Sequence, residues 1–405
     1  MQIMIVSQGA LFIMSGAHNM KAEIFNLKGR IDSTNAAALE QELLQTAADE
    51  LVINAENLEY ISSAGLRVLM KLQKSRKAPI VVTQVSPEVY SIFEMTGFTE
   101  IMDIRKALRK IDVEENELIA KGTIGTIYRI DDDTVVKVFG NRITTDLILR
   151  EREYARKAFL AGIPTIITYD IVTVKDRLGI VLEMAKGSAL SEKLNNEAND
   201  RNQLVRDYAE LLRSIHSTRM AKGEFPAAKD IYHGYVDAAV YLNKEQREAL
   251  HRVVDAVPDA VTVLHGDYHA NNVMFQGGEM VVIDLSDISL GNPLFDLASM
   301  YVSHIAVGGY HPEFIRAGMG ISYETCQQLW KGFFDQYFAQ STPEERARKE
   351  DVVRRFAMLK LSLMYAIAPG LDQLLGWQPL EDAGKILFDG QSRETLLKDI
   401  REFGC

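Results

Sequence analysis

The sequence predicts two domains of different class: a small α/β domain of about 105 residues, then a larger α+β domain that is β-rich at its start and helical at its end. Three observations carry this. The chain has 405 residues, and a single core usually stops growing near about 250–300. Over the first hundred residues, short β-branched apolar runs alternate with helical periodicity. From Glu117 the pattern changes to strand, glycine turn and strand, then a third strand, a charged helix and two more strands. Residues 297–405 read almost entirely as helix.

In the first domain, residues 51–55 (LVINA) and 80–85 (IVVTQV) are short and apolar, as buried strands should be. Between them, residues 65–75 place Leu66, Leu69, Met70 and Leu72 at helical spacing with basic residues opposite. Residues 36–47 and 87–95 read as two more amphipathic helices. Pro87 suits a first helical turn, and Gly97 stands where a glycine ends a helix. Residues 105–117 (RKALRKIDVEENE) run from basic to acidic, as a linker or a terminal helix, with the boundary near 108–114. The expected domains are 1–110 and 114–405, the second with a first lobe at about 114–185 and a second at about 186–405.

The first twenty residues are apolar, but no basic residue precedes Lys21, and Gln8 and Gly9 interrupt the run. A strand pair, or a start at Met20, fits better than a secretory signal. No stretch reaches the roughly 18 apolar residues that span a bilayer, and 47% apolar with 25% charged residues is the composition of a soluble globular protein. A net charge of −11 disfavours nucleic acid, which wants a basic stripe. Cys326 and Cys405 sit in no CxxC or Cys/His cluster, so they suggest neither a disulfide framework nor a zinc site, and a reducing cytoplasm is expected.

The most informative segment is VLHGDYHANNVMF followed by MVVIDLSD. An apolar strand end runs into His265, Gly266, Asp267, Tyr268, His269, Ala270, Asn271 and Asn272, and a hairpin then leads to Asp284. Either aspartate alone could merely end a strand. Together they fit transfer of a phosphoryl group to a hydroxyl, where one carboxylate takes the hydroxyl proton while an amide oxygen and a second carboxylate hold Mg²⁺. Asp267 is the expected base, Asn272 and Asp284 the expected metal ligands, and His265 and His269 supports of the loop.

This segment resembles the catalytic loop and metal-binding aspartate of the aminoglycoside phosphotransferase branch of the protein-kinase-like superfamily, which also includes choline, fructosamine and homoserine kinases. LGNPLFDLASM (residues 290–300) is similar to that family's GDPxxDLA segment, which implies that Asp296 caps a helix and braces the loop. The resemblance implies a bilobal kinase-like fold, with ATP and Mg²⁺ as cofactors. Gly122 and Gly125 would form a nucleotide-covering turn, although an ordinary hairpin has the same appearance. Lys137, in TVVKVF, would meet phosphates and a helix glutamate. Glu151 shares the apolar face of its helix and is preferred over Glu153, read as a solvated charge. Glu183 and Ala185 lie where the hinge binds adenine through its backbone.

Residues 25–43 and 51–70 resemble STAS domains, the fold of bacterial anti-anti-sigma factors, through a strand followed by Ser62, Ser63, Ala64, Gly65 and Leu66 opening a helix. Ser63 matches the serine phosphorylated in some members, while Ser62 stands where aspartate is frequent and Asn54 replaces a common acidic residue. One of the two serines should also cap the helix. The implied function is an ATP-dependent phosphotransferase acting on a hydroxyl of a small molecule, such as an aminoglycoside or amino alcohol, with a regulatory or partner-binding STAS-like module. Two alternatives stand beside it: a protein serine kinase acting on Ser63 or a partner's STAS domain, and an inactive nucleotide-sensing module.

Overall fold

The computed structural model describes residues 23–45, 51–76, 79–114, 117–122, 125–140 and 143–404. The expected N-terminal strand pair, residues 46–47 of the first expected helix, and Cys405 lie outside the described residues. The described chain divides into two compact units between Ile111 and Asp112.

In the small unit β1 (Glu23–Ile31), β2 (Leu51–Ile61), β3 (Val81–Val85) and β4 (Asp103–Lys106) form a sheet in that order, every neighbouring pair parallel. Parallel strands need crossover connections, and α1 (Ala36–Leu44), α2 (Ser63–Lys74) and α3 (Pro87–Met95) lie between them in the chain. Leu69 and Leu72 of α2 and Phe93 of α3 share one core with Ile53 and Val82. Burying side chains of this size contributes about 1.5–3 kcal/mol each. Strand β2 runs eleven residues, longer than the five-residue apolar run suggests, and at its start Leu51, Ile53 and Ala55 are inside while the residues between them are half-buried.

Serines start two of these helices. The Ser62 side chain accepts from the Ala64 N–H at 3.2 Å, and Ser86 accepts from Val89 ahead of Pro87. Gly97 follows α3 with φ +74. The charged stretch expected as a linker or terminal helix holds no α-helix among its described residues: it carries the last two residues of β4 and a short strand, β5 (Arg109–Ile111), and the units divide within it. β4 pairs along one side with Val81–Val85, and no apolar stripe in these residues offers a helix a face to bury.

The large unit opens with β6 (Leu118–Lys121), β7 (Gly125–Arg129), β8 (Thr134–Phe139), β9 (Thr168–Val174) and β10 (Arg177–Glu183). Their sheet order is β9-β10-β8-β7-β6, antiparallel throughout. Helix α4 (Thr145–Leu160) connects β8 to β9 and packs on β9 and β10. Then come α5 (Leu190–Asn195), α6 (Arg201–Ser217), α7 (Ala228–Ala238) and α8 (Lys244–Asp255). Strand β11 (Thr262–Leu264) pairs with β14 (Ser289–Gly291), and between them lies the hairpin of β12 (Val273–Gln276) and β13 (Glu279–Val282). From α9 (Leu294–Tyr301) to Arg401 the chain is helical between short turns, including a wider π-type turn at Val302–Ala306. The fold class is the one expected: an α/β unit with a parallel sheet, then an α+β unit with a β-rich first lobe and a helical second lobe. Among the described residues no helix is long and apolar enough to cross a membrane.

Candidate active site

Strand β8 carries Lys137 among apolar neighbours, and its side chain is buried. A buried ammonium needs anions. Lys137 Nζ lies 2.8 Å from Glu151 Oε1 on α4 and 3.2 Å from Asp284 Oδ1. Burial alone would lower the lysine pKa, but Asp284 and then Glu151 outweigh it and hold the ammonium above its usual range. Glu153 points elsewhere and pairs with Arg156 at 2.9 Å on the exposed side of the helix.

The loop after β11 is held from below. Asp296, in the first turn of α9, accepts the main-chain N–H groups of His265 and Gly266, each at 2.7 Å. It does not cap the helix, which corrects the expectation: the cap position is Pro293, with no side-chain cap, and the Leu294 N–H donates to Asn292 Oδ1 at 3.0 Å. The Asp296 oxygens are committed to the loop and to His216 Nε2, 3.0 Å away. Gly266 has φ +85, and a Cβ there would fall 2.2 Å from the Asp287 carbonyl oxygen, so only glycine fits this bend.

His265 is buried, and its Nδ1 accepts the Asp267 N–H at 3.3 Å. Burial lowers its pKa, so the ring is neutral with its proton on Nε2, an atom without a hydrogen-bond partner among the described residues. His269 Nε2 lies 3.5 Å from Asp267 Oδ2, and its Nδ1 accepts from Asn271 N–H. Burial by itself would raise the Asp267 carboxyl, but His269 outweighs it and holds the group below the usual carboxylate range. Asp267 is therefore ionised at neutral pH.

Asn272 Nδ2 donates to the Asp267 main-chain oxygen at 3.0 Å, which leaves Oδ1 as the side chain's remaining donor atom toward a cation. The Ile283 N–H donates to the Asn272 carbonyl at 2.9 Å, so the hairpin brings Asn272 and Asp284 together. Asp284 itself has φ +58, a left-handed conformation uncommon for a residue with a side chain. An amide oxygen and a carboxylate are the hard-oxygen donors that Mg²⁺ takes, so these two residues fit that ion.

Every position expected to contact nucleotide or metal lines one cleft of about 450 Å³, together with Asp267 and His269. His265 and Asp296 lie behind it, and Ser63 belongs to the small unit. A Cβ at Gly125 would fall 2.7 Å from the Val138 carbonyl oxygen, so the turn lies close against β8. The Gly122 N–H donates to Gly125 O at 2.8 Å, while residues 123–124 lie outside the described residues. At the hinge, the Glu183 carboxylate accepts from the Ile167 N–H and the Gln276 amide. Glu183, Met184 and Ala185 line the cleft, with the Glu183 and Met184 N–H groups donating to the Ile167 and Asp133 carbonyls, each at 2.8 Å.

Residues 115–329, just over half of the chain, match the phosphotransferase enzyme family. The chain belongs to that family. Residues 17–106 of this phosphotransferase family member match the Mlab, STAS domain family. Over 84 residues it is 34% identical to the BtrV protein of Bordetella bronchiseptica, named as an anti-sigma factor antagonist; the match covers 19% of this chain and 72% of that protein. Among solved structures, a choline/ethanolamine kinase family protein of Mesorhizobium loti is 16% identical with a TM-score of 0.46, covering 71% of this chain and 92% of that one. An aminoglycoside phosphotransferase of Streptomyces rimosus, in complex with ADP and streptomycin, is 16% identical with a TM-score of 0.42, covering 62% and 94%.

Several residues of this phosphotransferase family member that shape the site escaped sequence reasoning. His216, on the buried face of α6, bridges Asp296 to the Tyr337 hydroxyl, 2.6 Å from its Nδ1. Ser299 donates to the Gly266 carbonyl at 3.0 Å. Lys360 is buried over the ring of Tyr232 at 5.1 Å, beside a cavity of about 30 Å³ behind the loop, and burial lowers its pKa. The one signal for His216 was a polar ring among Tyr208, Leu212 and Ile215 on an otherwise apolar helix face.

Proposed function

We propose that the chain transfers the γ-phosphoryl group of ATP, bound with Mg²⁺, to the hydroxyl of a small molecule such as an amino alcohol or aminoglycoside. The observation that carries this reading is the convergence of Lys137, Glu151, Asp284, Asn272 and Asp267 on one cleft. Glu151 orients the Lys137 ammonium toward the phosphates. Asp267, ionised and fixed by its main-chain contacts, accepts the hydroxyl proton as the new O–P bond forms and the β–γ bridging P–O bond breaks. Bound Mg²⁺, held by Asn272 and Asp284, would offset phosphate charge. The main chain of Glu183–Ala185 would hold adenine, and the Gly122–Gly125 turn would cover the phosphates.

Loss of the lysine tests the nucleotide half of this reading. Lys137→Met should weaken ATP binding by about 1.5–3 kcal/mol, the value of hydrogen bonds to a charged group, measured by titration calorimetry. Unchanged affinity would remove Lys137 from the phosphate site.

A second reading of the acceptor has its own observation. Ser62 does the capping of α2, so Ser63, the first residue of the helix, is exposed with no capping duty. A phosphate there would add negative charge at a helix N-terminus, where it can create or abolish docking. On this reading the STAS module is the acceptor, in this chain or a partner. Intact mass after incubation with Mg-ATP separates the two. A single phosphate gained by wild type, and by neither Ser63→Ala nor Asp267→Asn, assigns self-modification; no gain in any form returns the acceptor to separate molecules.

A further inference from the structure

Among the described residues, four carboxylates line the cleft, and each already has a partner. Glu151 and Asp284 hold Lys137 at 2.8 and 3.2 Å. The Glu183 carboxylate accepts from the Ile167 N–H and the Gln276 amide. Asp267, 3.5 Å from His269, is the proposed base. Two lysines, Lys121 and Lys137, line the cleft as well. A substrate with several cationic groups must exchange their hydration for protein carboxylates when it is enclosed. This cleft keeps no spare carboxylate for them.

The helical lobe supplies a wall of another kind. The helix Pro312–Met319 contributes Phe314, Ile315 and Met319, and the π-type turn contributes Ser303. The Ser303 hydroxyl donates to the Met300 carbonyl at 3.1 Å, so its hydrogen is spent within its own turn. Asn271, on the loop that carries Asp267, ties the helix to that loop by donating from Nδ2 to the Gly318 carbonyl at 2.9 Å. Its Oδ1 receives no hydrogen bond among the described residues, which leaves one neutral acceptor atom on a residue lining the cleft. In-line transfer brings the hydroxyl in at Asp267, opposite the leaving ADP. The acceptor therefore meets the loop and the apolar helix tied to it.

We propose that the acceptor is a small alcohol with an apolar body and no more than one cationic group, and that a polycation is excluded. This rests on the phosphotransferase reading above and narrows its acceptor. The apolar body packs on Phe314, Ile315 and Met319, and Asn271 Oδ1 takes one N–H or O–H of the acceptor other than the reacting hydroxyl. The acceptor oxygen bonds to the γ-phosphorus as the β–γ bridging P–O bond breaks. Asp267 takes the proton, and a phosphate monoester and ADP leave.

The test measures ADP release by the full chain with Mg-ATP and a graded series of acceptors: 2-aminoethanol, 2-amino-1-butanol and 2-amino-1-hexanol, with streptomycin and gentamicin as polycations. Along the series kcat/KM should rise about two- to fourfold per added methylene, and both polycations should be poorer acceptors than 2-amino-1-hexanol. Met319→Ala should flatten the trend by raising KM for the longest member. 1-Hexanol, which lacks the amine, should be about tenfold poorer than 2-amino-1-hexanol in wild type. The two should converge in Asn271→Ala, and because that ratio is taken within one variant, a loss of stability cancels from it. Turnover of a polycation ahead of the whole alcohol series, or a series without a trend, overturns this inference alone. No turnover of either class by a protein that binds Mg-ATP overturns both it and the small-molecule reading it rests on.

Discussion

Asp267→Asn should lower ATP turnover by a factor on the order of 10²–10⁴ while leaving nucleotide affinity within a few-fold of wild type. The split follows from the geometry. Asp267 lies in the cleft, but Lys137 is paired with Glu151 and Asp284, so removing one negative charge from the loop leaves Lys137 and its partners in place. Asparagine keeps the shape and the main-chain N–H that donates to His265 Nδ1, so the loop keeps its form. What it loses is an oxygen able to take a proton. Because His269 opposes the effect of burial and holds the Asp267 carboxyl low, that carboxylate stays ionised down into the acid range. Wild-type turnover should accordingly show no basic group titrating near neutrality on its acid limb. Steady-state rates from pH 5 to 9 check both points, and near-wild-type turnover in the variant would strip Asp267 of its role.

Much of this site was legible because its chemistry demands particular residue types at short, fixed spacing. His265 to Asn272 is one contiguous loop, and a hairpin must follow it before Asp284 can come back beside Asn272. Glu151 could be separated from Glu153 because helical periodicity alone assigns a face, and the apolar face turned inward. Periodicity failed where pairing decides the outcome. Nothing local in residues 103–106 says strand, since their partners for backbone hydrogen bonds lie in β3, about twenty residues earlier. Helix capping shows a different limit. Ser62 and Ser63 are both good caps by composition, and only the backbone conformation at Ser62 gives that residue the role. His216 lies 80 residues from Asp296 in the chain, so no spacing rule connects them.

Asp296→Ala should destabilise the large unit by about 3–5 kcal/mol, the usual cost of removing one member of a buried charged network. The Asp296 carboxylate is about 1% exposed and accepts from three donors: the N–H groups of His265 and Gly266 and the imidazole of His216. Alanine leaves all three donors without this acceptor, the His265 N–H fully buried and the other two part-buried, and the two main-chain groups belong to the bend that Gly266 alone can make. Asp296→Asn restores one acceptor and should recover part of the loss. Trp330 and Trp377 are the chain's two tryptophans and both lie in the large unit, so fluorescence in a denaturant titration reports that unit's unfolding. The pH dependence has a definite sign. Burial would raise the Asp296 carboxyl, but His216 and the loop N–H groups outweigh it and hold its folded pKa below the unfolded value. Its contribution is therefore complete above the ordinary carboxylate range and is lost as pH falls through the lowered folded value. The stability gap between wild type and Asp296→Asn should be widest at neutral pH and narrow below about pH 4. A gap that stays constant into acid would mean that the loop is held by something other than this ionised carboxylate.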